Sequence, residues 1–332
     1  MLIEPDISLK NYTSFKIGGV ARYFCNILTR EDLLECFKWI RGKKIKYFIL
    51  GGGSNLLVSD SGFRGIVLKI NNRDITWLND ICSAEAGVFL AGLINEACSR
   101  NLGGMEWAYG IPATLGGAVY NNAGAFGSNM AFHVKNVEVF DIQKGKFRNF
   151  PTEKCAFGYR KSIFQGEKHW LIWRIGLSWI PKNSRQIQEE INFFLEKRKN
   201  NQPLGIPSAG SFFRNPDISG LKKEKITPLI EDFVVSQLAK FQKDKNRLMI
   251  EKEIRDKIKR DQSLPAGYLI EKVGLKGKKI GGAQISPKHA NFIVNTGQAK
   301  AEDVVTLASI IKQKVRNKFG VQLREEVEYV GF

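Results

Sequence analysis

Short apolar runs separated by glycine- and asparagine-bearing turns fill the first third of the chain, which is how short strands look in a sequence. "YFIL" (47–50) and "LLV" (56–58) flank "GGGSN" (51–55), and "GIVLKI" (65–70) predicts another strand. In "SAEAGVFLAGLINEACSRNLGG" (83–104) the spacing changes from strand-like to helical. A strand end and an amphipathic helix are expected there, with Gly103-Gly104 as the helix stop. "VKNVEVFDIQKGKFRNF" (134–150) reads as a hairpin turning at Lys144-Gly145, and "HWLIWRIGLSWI" (169–180) as a strongly apolar strand. A break at "PKNSR" precedes a helix, "RQIQEEINFFLEKRKNN" (185–201). Farther on, "AEDVVTLASIIKQKVRNKFG" (301–320) puts Val304, Leu307, Ala308, Ile311, Val315 and Phe319 on one face at helical spacing. Gly320 is the expected end of that helix, and "VQLREEVEYVG" (321–331) the closing strand. No internal repeat is evident.

Composition narrows the picture. A chain of 332 residues has room for two or three domains, and 43% hydrophobic with 25% charged residues is ordinary for a soluble globular protein. No apolar run approaches the ~20 residues that cross a bilayer. The N-terminus is polar, with no apolar core of a signal peptide, so a cytoplasmic protein is expected. Cys25, Cys36, Cys82, Cys98 and Cys155 are scattered and never form C-x-x-C, which points to reduced core thiols and to no metal site. The net charge of +18 is compatible with nucleic acid, anionic membranes or phosphorylated small molecules. Lysines outnumber arginines and are spread along the chain, so a solvated surface and polyanionic small molecules are favoured over nucleic acid. Residues 217–263 carry twelve Lys/Arg against nine Asp/Glu, the mark of a mixed-charge, largely helical insertion with a solvated face.

Three stretches carry chemistry. "GGGSN", with Gly51, Gly52, Gly53, Ser54 and Asn55, joins two strand-like pieces. Consecutive backbone N–H groups there can form an anion nest suited to a pyrophosphate, although an ordinary glycine turn has the same look. It is neither a P-loop nor the G-x-G-x-x-G fingerprint. "GIPATLGGAVYNNAGAFGSNM" (110–130) is dense in Gly, Ala and Asn and almost free of charge. Such a surface suits a flat hydrogen-bonding ligand, or else close backbone packing. Two backbone-rich loops without acid–base machinery point to a large organic cofactor that supplies the reactivity. In "SAGSFFRNP" (208–216), Ser211 lacks a G-x-S-x-G context, and none of His133, His169 or His289 is marked as its base. A hydrolase nucleophile is therefore not expected, and a turn-capping serine is the plain alternative.

In order along the chain, "NYTSFKIGG", "LGGGSNLLVSDSGFRGIVLKI", "MEWAYGIPATLGGAVYNNAGAFG", "GYRKSIF", "PSAGSFFRNP", "AGYLIEKVGLKGKKIGGAQIS" and "LREEVEYVG" resemble the UDP-N-acetylenolpyruvoylglucosamine reductases, flavoenzymes of bacterial cell-wall synthesis. The resemblance covers nearly everything outside 217–263, and the short connection after Arg160 resembles the type II form. It implies an α+β fold: an FAD-binding fold of the vanillyl-alcohol-oxidase type in two N-terminal subdomains, plus a C-terminal α+β substrate domain. The implied boundaries are 1–70 and 71–182 for the FAD subdomains and 183–320 for the substrate domain, with strand 321–332 returning to the first. Tightly bound FAD is implied, with NADPH as co-substrate and UDP-N-acetylglucosamine enolpyruvate as substrate. No nucleic acid, membrane or obligate protein partner is implied. The implied FAD contacts are Gly51, Gly52, Gly53, Ser54 and Asn55, then Gly110, Ile111, Pro112, Thr114, Gly116 and Gly117, and finally Asn122, Ala123 and Gly124.

The resemblance also carries catalytic roles. Arg160 falls on the arginine of "YRxSxF", Ser211 on the serine of "GSxFxNP" and Glu326 on the glutamate of "LxxEV". Asn215 and His289 fall on substrate contacts. Hydride delivered to C3 of an enolpyruvyl group leaves carbanion character at C2, delocalised into the carboxylate. A planar, permanently charged Arg160 suits that charge. Glu326 helps either as a protonated donor to the enolate or by orienting Arg160; Glu325 is expected to be a solvated neighbour. A carbanion is basic enough to take a proton from the neutral Ser211 hydroxyl, with no histidine needed. The rival readings are a sugar or alcohol oxidase of the same superfamily and a basic nucleic-acid binder with a steep salt dependence.

Overall fold

The computed structural model describes residues 1–239 and 246–332, and its contacts divide the chain into two units, 1–204 with 329–332, and 205–328. In the first unit the apolar pieces around "GGGSN" become strands Tyr47–Leu50 and Leu56–Val58. Tyr47–Leu50 joins a four-stranded sheet in the order Ile3–Ser8, Val20–Ile27, Phe63–Ile70, Tyr47–Leu50. Only the first pair is antiparallel. The parallel strands Val20–Ile27 and Tyr47–Leu50 require a crossover, supplied by helix Arg30–Lys43. Thr29 and Asp32 cap its start reciprocally, and Leu33, Cys36 and Ile40 face the core.

A five-stranded antiparallel sheet follows, in the order Lys146–Pro151, Val134–Asp141, Trp170–Ser178, Ile81–Glu85, Ile75–Leu78. Its middle strand, Trp170–Ser178, is almost wholly buried, as its unbroken apolar run requires. The hairpin turns where its sequence indicates. The fully buried Asp141 carboxylate accepts the N–H groups of Gln143 and Lys144 at 3.1 and 3.0 Å. Helix Leu90–Ser99 ends earlier than its glycines suggest. Asn101 takes the left-handed turn at φ 58°, and Leu102-Gly103 goes on to pair with Ile180-Pro181. Asparagine tolerates that conformation well enough to spare the glycines for the pairing. Tyr329–Phe332 belong to this unit, where the Ser59 N–H donates to the Val330 carbonyl at 2.8 Å.

The second unit is built on an antiparallel sheet in the order Ser208–Ser211, Phe292–Asn295, Ala283–Ile285, Lys279–Ile280. Helix Ala301–Phe319 packs on it, buries Val304, Leu307, Ala308, Ile311 and Val315, and stops at left-handed Gly320. The charged segment contributes helices Lys223–Leu238 and Arg247–Asp261, pinned together by a bidentate Arg255–Glu231 pair at 2.7 Å. Phe233 packs edge-on against Tyr268, and Lys272 pairs with Asp232 at 2.6 Å, fastening the insertion to helix Ala266–Lys272. The expected closing strand is shorter than its sequence suggests. Only Glu328–Val330 is regular strand, because 324–326 pairs locally with 212–214.

Among the described residues no helix is long and apolar enough to cross a membrane.

Candidate functional site

The first unit brings the two backbone-rich loops face to face. A Cβ on Gly51 would stand 2.8 Å from Thr114 Oγ1, and one on Gly52 would stand 3.2 Å from the Pro112 carbonyl oxygen. Gly53 has φ +67°, and a Cβ there would lie 1.9 Å from the Tyr12 carbonyl oxygen. Its own carbonyl accepts the Ser14 N–H at 3.1 Å, so the "NYTSF" and "GGGSN" motifs are one structure. Ser54 and Asn55 follow half-buried on the same turn. On the facing loop, Thr114 is 1% exposed, yet its hydroxyl has no hydrogen-bond partner among the described residues. It lies between Gly51 and Gly117, an unspent donor where the two loops approach too closely for a side chain on Gly51.

Not every residue of that loop is available to a ligand. The Gly116 N–H is spent on the Ala86 carbonyl at 2.9 Å, and a Cβ on Gly116 would meet the Ala86 side chain at 2.8 Å. Close packing explains that glycine. Gly110, in the left-handed region, lies at the start of the loop beside Arg198, and Ile111 follows it with its N–H bonded to the Ala108 carbonyl.

Arg160 occupies a two-residue turn closed by reciprocal Gly158–Lys161 backbone bonds at 3.0 and 3.1 Å. Its φ of +51° is left-handed, which costs a non-glycine residue roughly 1–2 kcal/mol. The turn is held from several sides. The Arg160 Nη2 donates to the Gly124 carbonyl at 2.7 Å, and Gln165 Nε2 donates to the Arg160 carbonyl and to Asn121 Oδ1. Asn122 Nδ2 donates to the Gly158 carbonyl at 2.8 Å, and the Ser162 hydroxyl donates to the Tyr120 carbonyl at 2.6 Å. Hydrogen bonds therefore tie Asn122 and Gly124 to the Arg160 turn, with the Ala123 N–H between them fixed on the Ala118 carbonyl.

In the second unit Ser211 ends its strand just past a bulge. Ser208 pairs with Val294 and Ser211 with Phe292, so one extra residue is absorbed at Ala209-Gly210, with Gly210 at φ +76°. The Ser211 hydroxyl makes no hydrogen bond among the described residues, unlike a capping serine. Phe212 and Phe213 beside it are each 1% exposed. The Phe212 N–H donates to the Asn291 carbonyl at 2.7 Å, and the Glu326 N–H donates to the Phe212 carbonyl at 2.8 Å. Ser211 and Glu326 are thus neighbours through the backbone. Glu325 is not a solvated bystander, because Lys312 Nζ donates to it at 2.9 Å in a partly buried pair.

Asn215 uses its side-chain oxygen to accept the Ala266 N–H at 3.1 Å, tying the serine loop to helix Ala266–Lys272. His289 packs edge-on against Phe292, and its Nδ1 accepts the Asn291 N–H at 3.2 Å, so the ring is neutral at that nitrogen. Burial, reinforced by Lys276, holds its pKa below the ordinary histidine value.

Three residues were not legible as site residues. Asn291, inside "HANFIVN", accepts the Phe213 N–H with Oδ1 at 3.0 Å and donates Nδ2 to the Phe213 carbonyl at 2.8 Å. Lys69 donates to the Gly51 carbonyl, and burial, reinforced by Arg73, lowers its pKa to about 8. Arg198 lies buried beside Gly110. No metal-binding cluster occurs among the described residues.

Comparison with known proteins adds a second line of argument. The family model described as UDP-N-acetylenolpyruvoylglucosamine reductase, C-terminal domain, matches residues 202–330, and one described as an FAD binding domain matches residues 22–150. The UDP-N-acetylenolpyruvoylglucosamine reductase of Caldanaerobacter subterraneus subsp. tengcongensis is 38% identical over 331 residues, covering 99% of this chain and 93% of that protein. The corresponding Chlamydia trachomatis protein is 34% identical, with 99% and 97% covered. The crystal structure of the Thermus caldophilus reductase is 32% identical, with a TM-score of 0.73 and 99% of each chain covered.

Proposed function

This chain belongs to the UDP-N-acetylenolpyruvoylglucosamine reductase family, FAD-containing oxidoreductases of peptidoglycan biosynthesis, and from that premise we propose that it reduces the enolpyruvyl group with NADPH, using Arg160, Ser211 and Glu326. The fold is α+β with an FAD-binding domain, and the residues present fit that cofactor. Gly51 and Gly52 approach the 112–114 segment too closely for side chains of their own, and the buried, unspent Thr114 hydroxyl lies at that approach. Bound FAD supplies two-electron hydride chemistry, from NADPH to C3 of the enolpyruvyl group. On this reading FAD is held mainly by 1–70 and 71–182, and substrate by 183–320 with Asn215 and His289 among its contacts.

The chain's own residues handle the charge and the proton. Hydride at C3 leaves an electron pair at C2, shared with the carboxylate. Arg160, anchored on Gly124, stabilises that developing charge. Ser211 gives its hydroxyl proton to C2 and recovers one from solvent after product leaves, so one hydride and one proton are added in all. Glu326 serves the developing charge as a protonated donor to the enolate or by orienting Arg160; what supports its assignment beside Ser211 is the bond that fastens its N–H to the Phe212 carbonyl. Phe212 and Phe213 keep water from competing as a proton source.

The observation that carries this reading is the unspent hydroxyl of Ser211 on a bulged strand end, next to the buried Phe212 and Phe213. Purified protein should be yellow, release FAD on denaturation, and oxidise NADPH under anaerobic conditions only when UDP-N-acetylglucosamine enolpyruvate is added. NADPH oxidation that ignores the enolpyruvyl sugar would remove the substrate assignment, and a protein that takes up no FAD would remove the whole reading.

A further inference from the structure

Helix Ser184–Asn201 buries one charged residue, and nothing in its unit balances the charge. Arg198 is 6% exposed. Its Nη2 donates to the Trp107 carbonyl at 2.9 Å, while its Nε is buried without a hydrogen-bond partner among the described residues. No carboxylate among them pairs with it. Arginine does not give up its proton, so this is a permanent cation whose desolvation is met by a single neutral acceptor. Burial pushes its pKa below the ordinary arginine value.

Its position explains the imbalance. Arg198 Cδ and Nε lie 3.3 and 3.6 Å from where a Cβ on Gly110 would stand, so the absence of a side chain there keeps the guanidinium open to the start of the 110–117 loop. The ring of Phe126 lies 5.1 Å from the guanidinium carbon and is itself backed by Phe194 at 4.8 Å. Phe126 sits at the turn of the hairpin made by Gly124-Ala125 and Ser128-Asn129, held at φ 54°. That hairpin also carries the Gly124 carbonyl on which Arg160 is anchored. One short hairpin therefore contacts two arginines, Arg160 through Gly124 and Arg198 through Phe126. Thr114 and Arg198 are unspent donors near two parts of one loop.

We propose that Arg198 is a cofactor-binding residue whose buried guanidinium supplies the counter-charge for the flavin ring when that ring is reduced. The proposal rests on the FAD reading above. Accepting a hydride adds two electrons and one proton to a neutral acceptor and leaves it with one added negative charge. A cation already fixed in a water-poor pocket stabilises that charge without reorganising. The glycine nest at 51–53 serves the diphosphate end. Arg198, on its helix, lies instead against Phe126 of the hairpin that anchors Arg160, where the hydride chemistry is assigned. A purely structural role, tying the helix to Trp107, needs one hydrogen-bond donor and no charge.

The test uses the holoprotein and its variants Arg198→Lys, Arg198→Gln and Arg198→Met, reading the midpoint potential of bound FAD by anaerobic spectroscopic titration. Gln keeps a donor for the Trp107 carbonyl and loses the charge; Lys keeps both. The neutral variants should bind oxidised FAD yet shift the reduction equilibrium at least tenfold toward the oxidised form, a potential about 30 mV lower for a two-electron couple. Lys should stay near wild type. Gln and Met variants that hold FAD at the wild-type potential would overturn the proposal and leave Arg198 as a strut. Wild-type protein that takes up no FAD would instead defeat the underlying reading, a separate result. Where neutral variants do not fold, the wild-type holoprotein decides. Its potential should lie above that of free FAD in the same buffer, and one below it would overturn the proposal.

Discussion

Replacing Asn291 by alanine should damage the proton-delivering half of the site without touching a reacting group. Asn291 is 5% exposed, and its amide grips Phe213 from both sides, accepting the N–H at 3.0 Å and donating to the carbonyl at 2.8 Å. Alanine leaves two backbone groups of Phe213 without these partners. Each unsatisfied buried group costs about 1–3 kcal/mol, so roughly 2–6 kcal/mol of stability should be lost. Asp is no remedy: a carboxylate still accepts the N–H, but it cannot donate to the Phe213 carbonyl and it buries a charge. Phe212 and Phe213 fix the serine loop, so Ser211 should also lose its aim. Misplacement by about 1 Å can cost on the order of 10²-fold. Urea unfolding monitored by tryptophan fluorescence gives the stability term. Anaerobic stopped-flow reoxidation of pre-reduced enzyme by the enolpyruvyl substrate gives the aim, with flavin reduction by NADPH as the unaffected control. An Asn291→Ala protein within about 0.5 kcal/mol of wild type that reoxidises at the normal rate would show that the grip on Phe213 does not matter.

Gly53→Ala should yield protein unable to hold FAD, because the added methyl would lie 1.9 Å from the Tyr12 carbonyl oxygen in a left-handed backbone; flavin content after purification checks this. Replacing residues 219–263 with a short linker should leave FAD binding intact while destabilising helix Ala266–Lys272, which loses the Phe233–Tyr268 packing and the Asp232–Lys272 pair. A soluble, folded deletion without FAD would contradict it. His289 and His133 are both held by burial below the ordinary histidine value of 6.5. The unfolded chain therefore binds protons more readily than the folded one, so their contribution is full above about pH 6.5 and is lost as pH falls below it. His289→Gln should flatten the fall in urea midpoint between about pH 6.5 and 5, and an unchanged slope would show that His289 is not its source.

The sequence made legible what burial alone dictates. The buried strand Trp170–Ser178, the 134–151 hairpin and the apolar stripe of helix Ala301–Phe319 follow from local periodicity and turn chemistry. The glycine density at 51–53 marked a close approach of chain segments because its reason, a backbone too near for Cβ atoms, leaves a local trace. Residues whose roles depend on distant partners left none. Asn291 reads as a polar interruption of an apolar run until Phe213, far along the chain, pairs with it. Arg198 reads as a routine basic residue in the last turn of a helix, and only folding buries it beside Gly110. Lys69 faces Gly51 because parallel pairing sets it opposite Leu50. The stop at Asn101 was hidden by the more obvious glycines two residues later.

The assignment of Ser211 as proton donor to C2 is tested most directly by separating the two half-reactions in Ser211→Ala. Hydride transfer from NADPH needs no proton on carbon, so anaerobic mixing with NADPH should bleach the flavin at nearly the wild-type rate. Reoxidation by UDP-N-acetylglucosamine enolpyruvate does need one, and it should slow by about 10²–10⁴-fold, the usual contribution of a general acid. Ser211→Cys should recover part of that rate. A Ser211→Ala enzyme that reoxidises as fast as wild type would contradict the assignment and leave the serine a structural residue of its strand end.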